Sequence, residues 1–135
     1  DAIVLAVPSH AHEQYFEAFA PHLKPHAVVA VMPARSGADL LFASKLGEKA
    51  KSMTFVGFES VPWACRRDEW GRKATILGTK EEALVAVAPA CRRPRAFATL
   101  QGLVGIFPHI TEASSALAMS LRNPAAIVHP GVMYG

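Results

Sequence analysis

The sequence predicts an α/β fold with a mostly parallel sheet, and three observations carry the prediction. Ala2–Val7, Ala27–Met32 and Met53–Phe58 are continuous apolar runs, the pattern of strands buried on both faces of a sheet. Helix-like segments separate them, and the order strand, helix, strand, helix, strand becomes a parallel sheet through right-handed crossovers. Each run also closes on a proline-marked turn with polar groups: Val7-Pro-Ser-His-Ala-His12, Met32-Pro-Ala-Arg-Ser-Gly37 and Glu59-Ser-Val-Pro-Trp63.

The first run stops at Pro8, which has no N–H to give a ladder. Ser9 reads as the cap of a helix whose apolar residues Tyr15, Phe16, Phe19 and Ala20 recur at helical spacing. His12 and Glu13 fall in its first turn, and Pro21 ends it. After the second run and Pro33, Ser36 or Asp39 opens another helix, with Leu40, Leu41, Phe42 and Leu46 apolar and Gly47 near its close. The third run leads into Glu59–Arg66. Lys73–Gly78 reads as a fourth strand and Lys80–Ala88 as a short helix closed by Pro89. Two strands in succession there suggest that part of the sheet turns antiparallel. A Pro- and Arg-rich loop over Ala90–Arg95 follows, then a helix around Leu100–Val104 and another over Thr111–Leu121. Finally Asn123 caps a helix that Pro124 enters at its first position, and His129 stands just before Pro130, whose ring disfavours regular helix for the residue preceding it.

The 135 residues suit one ordinary domain, and with 51% of them hydrophobic and 19% charged the chain is globular rather than disordered. No apolar run approaches the ~20 residues that span a bilayer, so the expectation is a cytoplasmic protein without membrane contact. Cys65 and Cys91 are too few for a disulfide framework or a structural zinc site. Cys65 sits beside Arg66 and Arg67, which favours thiolate, but a half-buried, unreactive thiol is the preferred reading. The net charge of +3 gathers in Arg66-Arg67 and Cys91–Arg95, which lack the interleaved aromatics of a base-stacking surface. No nucleic-acid partner is expected. The chain opens without methionine, one residue ahead of a strand, and closes inside a helix-like stretch, and so reads as part of something longer.

Ligands of open α/β sheets sit outside the carboxyl ends of the strands, where the three proline-marked turns converge. Helix N-termini behind the first two offer N–H groups that suit phosphate or carboxylate. His129, at a helix break, is a candidate acid/base group, since reducing C=O or C=N takes a proton besides a hydride. His109, in Phe107-Pro-His-Ile110, is locally as plausible. His10, His12, His22 and His26 make a poor metal set, because the second pair lies at the opposite end of the sheet; no metal is expected. The fingerprint G-x-G-x-x-G is absent, so nucleotide binding does not follow from these residues alone.

Phe58-Glu-Ser-Val-Pro-Trp-Ala-Cys-Arg66, Ile76-Leu-Gly-Thr-Lys80 and Val128-His129-Pro130 form a specific combination, with Val7-Pro8, Ala11-His12-Glu13 and Tyr15-Phe16. In these residues the chain resembles the opine dehydrogenases, from Ala2 to about Lys80 and again from Thr99 to Gly135. The resemblance implies an NADH-dependent enzyme that reductively condenses the amine of an amino acid with pyruvate or another 2-oxo acid. It implies the second half of a Rossmann-like domain over residues 1–121 and the first helix of a helical substrate domain over 122–135. NAD would be held mainly by segments outside this chain, with Pro8, Ser9, His12 and Pro33 contributing contacts. Arg35 and Ser60 would bind the oxo acid, and His129 would be catalytic. Arg35 stands where the family pattern has glutamine, and Ser60 where it has threonine. A forked guanidinium can hold a carboxylate as an amide cannot. The competing enzyme reading is a glycerol-3-phosphate or ketopantoate-type reductase; from another class, the segment would be a non-catalytic association or binding module.

Overall fold

The computed structural model describes residues 1–35, 37–102, 109–122, 128, 132 and 133. Its first half follows the expected alternation: β1 (Ala2–Leu5), α1 (His12–Phe19), β2 (Val28–Val31), α2 (Ala38–Leu46) and β3 (Thr54–Phe58). The three strands are parallel, with Ala2 opposite Val28 and Val28 opposite Thr54. Every residue of β2 and β3 is buried, because helices cover both faces of the sheet. Val29 and Val31 face Phe16 of α1 and Phe42 and Leu46 of α2. Val28, Ala30 and Met32 face the other side. At the centre of the first face the Phe16 ring meets Phe19 and Phe42 edge-on, at centroid distances of 5.7 and 5.4 Å. Burying one such ring is worth about 1.5–3 kcal/mol, so this cluster dominates the α1–α2 contact. Lys45 of α2 reinforces it, reaching both Glu13 and Glu17 one turn apart on α1, the latter at 2.8 Å.

The second half departs from the local reading. Lys80–Ala88, expected to be helical, contains the strand β6 (Glu82–Ala88), which runs antiparallel to β3 with Phe55 opposite Ala88 and Phe58 opposite Val85. The helix-favouring Glu81-Glu82-Ala83-Leu84 is overruled because β3 has a free edge whose buried N–H and C=O groups need partners. The antiparallel part of the sheet therefore arises at β6. The strand expected over Lys73–Gly78 instead joins a stretch not read as a strand, forming a separate two-stranded hairpin of β4 (Trp63–Glu69) and β5 (Lys73–Thr79). Gly71, at φ 68°, supplies the left-handed backbone of its turn.

The Ala90–Arg95 loop already contains the start of α3 (Arg93–Gln101), whose Ala96 and Leu100 cover the second face. Arg92 fastens that start by donating to the carbonyls of Lys51 and Met53. Thr111 belongs not to a helix but to β7 (His109–Glu112), parallel to β6. The helix α4 (Ala116–Arg122) begins later, with Ser115 Oγ accepting the Ala118 N–H at 3.0 Å. Met119 of α4 returns to the first face. The five-stranded sheet thus has the order β1-β2-β3-β6-β7. Ser36, Val104, Asn123 and Pro124 lie outside the described residues. Among the described residues no helix is long and apolar enough to cross a membrane.

Candidate functional site

The carboxyl ends of β1, β2 and β3 open on one edge of the sheet. Because β6 and β7 run the other way, their amino ends, where Glu82 stands opposite His109, come to the same edge. Five chain segments thereby meet at one rim.

At the first turn, Pro8 is exposed and Ser9 half-buried, and the Ala11 N–H donates to the Pro8 carbonyl at 2.9 Å. Ser9 makes no side-chain cap; it opens a short 3-10 turn that leads into α1. His12 points inward rather than along the rim. It is 1% exposed and stacks on Phe16 at a centroid distance of 5.8 Å. Burial lowers its pKa, the backbone of Val7 works the other way, and the charge of His10 adds to the lowering. The ring is therefore neutral at pH 7, and its Nε2 has no hydrogen-bond partner among the described residues.

The second turn is fastened to both neighbouring strands. The Met32 N–H donates to the Leu5 carbonyl at 2.8 Å and the Ala34 N–H to the Phe58 carbonyl at 2.7 Å, with the half-buried Pro33 between. Arg35 follows immediately and is exposed. At the third turn the Glu59 N–H donates to the Leu84 carbonyl at 2.9 Å, and Ser60 is half-buried. The base of the hairpin closes here, with the Lys80 N–H on the Pro62 carbonyl at 2.9 Å. Lys80 Nζ donates to Ser60 Oγ. Ser60, Val61, Trp63, Thr79 and Lys80 line a concave space of about 410 Å³ at this junction.

Pro8, Ser9, Pro33, Arg35 and Ser60 thus share one rim, and His12 lies beneath it. His129 lies outside the described residues. His109 is exposed at the start of β7, and nearby Glu82 accepts a hydrogen bond from the Thr111 hydroxyl. Cys65, expected to be half-buried, is exposed, as is Cys91, and both are free thiols. Among the described residues no three His, Cys, Asp or Glu side chains are grouped to hold a metal. Sequence reasoning missed Lys80, because a helix over Lys80–Ala88 carries it away from Ser60. The branched valines of Glu82-Ala-Leu-Val-Ala-Val-Ala88 were the available signal for a strand. Chemically the rim carries the cations Arg35 and Lys80 and the Ser60 hydroxyl beside the acids Glu59 and Glu82, and the donors among them suit a carboxylate.

No family model matches the chain. It is similar over its whole length to octopine dehydrogenase of Mizuhopecten yessoensis, 36% identical over 136 residues. Tauropine dehydrogenase of Arabella iricolor is also 36% identical over 136 residues, covering 99% of the chain. The chain spans 34% of the length of each of these relatives. Among solved structures, octopine dehydrogenase with NADH and L-arginine superposes with a TM-score of 0.84 at 33% identity, covering 100% of this chain and 34% of that one. The same enzyme with NADH and pyruvate gives a TM-score of 0.83 at 33% identity, covering 99% of this chain and 34% of that one. The likeness therefore extends beyond the sheet order to the chain as a whole.

Proposed function

We propose that the protein carrying this chain is an NADH-dependent opine dehydrogenase. The supporting observation is the similarity, over the whole of this chain and a third of theirs, to octopine and tauropine dehydrogenases, whose solved relative holds NADH with L-arginine or with pyruvate. In the reaction, the amine of an amino acid condenses with a 2-oxo acid, water leaves, and a hydride and a proton reduce the resulting C=N bond to a secondary amine. Residues 1–121 are part of the Rossmann-like half and 122–135 open the substrate domain.

Bound NADH would supply the hydride. The residues present fit a dinucleotide in one respect: the neutral ring of His12, beneath the Pro8–Ser9 turn, has an Nε2 with no partner among the described residues, at the strand end where such folds bind nucleotides. Pro8, Ser9, His12 and Pro33 would hold it. Arg35 and Ser60 hold the oxo-acid carboxylate, a fixed cation and a hydroxyl presented from adjacent turns. His129 takes the proton released as the amine is activated and returns one during reduction.

The test is NADH oxidation by the full-length protein with pyruvate and a panel of amino acids, with mass spectrometry of the product. A secondary amine dicarboxylate is expected. His129→Ala should lower kcat by ~10²–10⁴ with NADH affinity retained, the loss typical for a positioned acid/base group. Turnover of a phosphorylated ketone or ketopantoate, with no opine formed, would replace this reading with the reductase alternative.

A further inference from the structure

The geometry points to Lys80 as a positioning residue for the oxo acid, one that makes the Ser60 hydroxyl a hydrogen-bond donor to the substrate carboxylate. The inference rests on the functional reading above and adds to it a residue and a mechanism. An ammonium has three donors and no acceptor, so in the Lys80–Ser60 contact the Ser60 oxygen accepts. Its own proton must then point elsewhere. The concave space at the hairpin base is lined by both residues, and a ligand placed there meets the Ser60 O–H as a donor. Without Lys80 the hydroxyl is free to rotate and to act as an acceptor, which a carboxylate cannot use.

The pair is not a chance meeting of two surface side chains. Trp63 stands opposite Thr79 in the hairpin, and the Lys80 N–H bond to the Pro62 carbonyl closes the ladder. On the other side, Glu59 is bonded to Leu84. Backbone contacts therefore bring residues 60 and 80 together whatever the lysine side chain is. That separates a positioning role from a structural one, because the hairpin base should survive loss of the ammonium. In the structure the Lys80 amine bonds Ser60, and the neighbouring Glu82 is engaged by Thr111.

The experiment is a double-mutant cycle in the full-length protein, with Lys80→Met, Ser60→Ala, both together, and Lys80→Arg as the conservative variant. Lys80→Met should raise KM for the oxo acid roughly 10- to 100-fold, the loss of one charge-assisted hydrogen-bond system. Its kcat at saturating oxo acid and its KM for NADH should stay within about threefold of wild type. Ser60→Ala should raise the same KM, and Lys80→Met should add almost nothing in that background. Lys80→Arg should recover most of the affinity, and the unfolding midpoint of Lys80→Met should match wild type. Independent effects in the cycle, or an unchanged oxo-acid KM in a folded Lys80→Met, would overturn the inference while leaving opine formation intact. A KM rise accompanied by a lowered unfolding midpoint, and not restored by arginine, would also overturn it, in favour of a structural pin. If the wild-type protein forms no opine, the functional reading fails first and this inference with it.

Discussion

Gly57 lies against Ala34 with no space for a side chain between them: a Cβ at position 57 would stand 2.8 Å from the Cβ of Ala34 and 3.0 Å from the Phe55 ring. This close approach lets the turn after β2 fold back onto β3, where Ala34 bonds the Phe58 carbonyl, and it fixes where Arg35 leaves the sheet.

Gly57→Ala should therefore cost about 1–3 kcal/mol, the usual range for an overpacked core. Ala34→Gly in the same protein should return most of that, since it removes the clashing atom and the two positions are in contact. Chemical denaturation of the two single variants and the double variant measures the coupling. Additive losses would mean that the contact does not govern the turn.

Arg35→Gln should weaken oxo-acid binding by about 1.5–3 kcal/mol if the guanidinium pairs with a carboxylate. Stability should hardly change, because Arg35 is exposed. Steady-state kinetics at varied oxo acid will show the effect in KM. An unaltered KM would assign Arg35 to the solvated surface.

His12 should make the fold acid-sensitive. Its folded pKa lies below the ordinary value of about 6.5 because the ring is buried, so the unfolded chain takes up a proton that the folded one refuses. The contribution of His12 is complete above the unfolded pKa, and is lost as pH falls below it towards the folded pKa. Urea unfolding at pH values between about 7 and 5 should show stability declining in wild type and declining less in His12→Gln. Equal slopes in the two proteins would show that the ring is hydrated.

Lys45 should act in the opposite pH range. Hydrogen bonds donated to Glu13 and then to Glu17 push its pKa up to about 12. Its stabilisation is present throughout the range below the ordinary lysine pKa of about 10.4, and is lost only as pH rises through about 12. Lys45→Met should lower the unfolding midpoint slightly at low salt, with the difference shrinking near 1 M salt, where the Debye length is about 3 Å. A difference that persists in salt would mark the aliphatic stem as the stabilising part.

Local pattern was sufficient for β1, β2 and β3, for α1 and α2, and for the three proline-marked turns at the carboxyl ends of those strands. Continuous apolar runs, proline stops and helical spacing are properties of neighbouring residues, and each is enforced by backbone sterics or burial within one element. Local pattern failed for β6, where Glu81-Glu82-Ala83-Leu84 favours helix and the decision lay with β3, more than twenty residues earlier in sequence. Nor does the place of His12 in the first turn of α1 say that its ring turns down onto Phe16. The meeting of Ser60 with Lys80 was out of reach for the same reason. Two residues twenty positions apart become partners only once β4 and β5 pair and β6 fills the free edge of β3, because strand pairing is satisfied across the chain rather than along it.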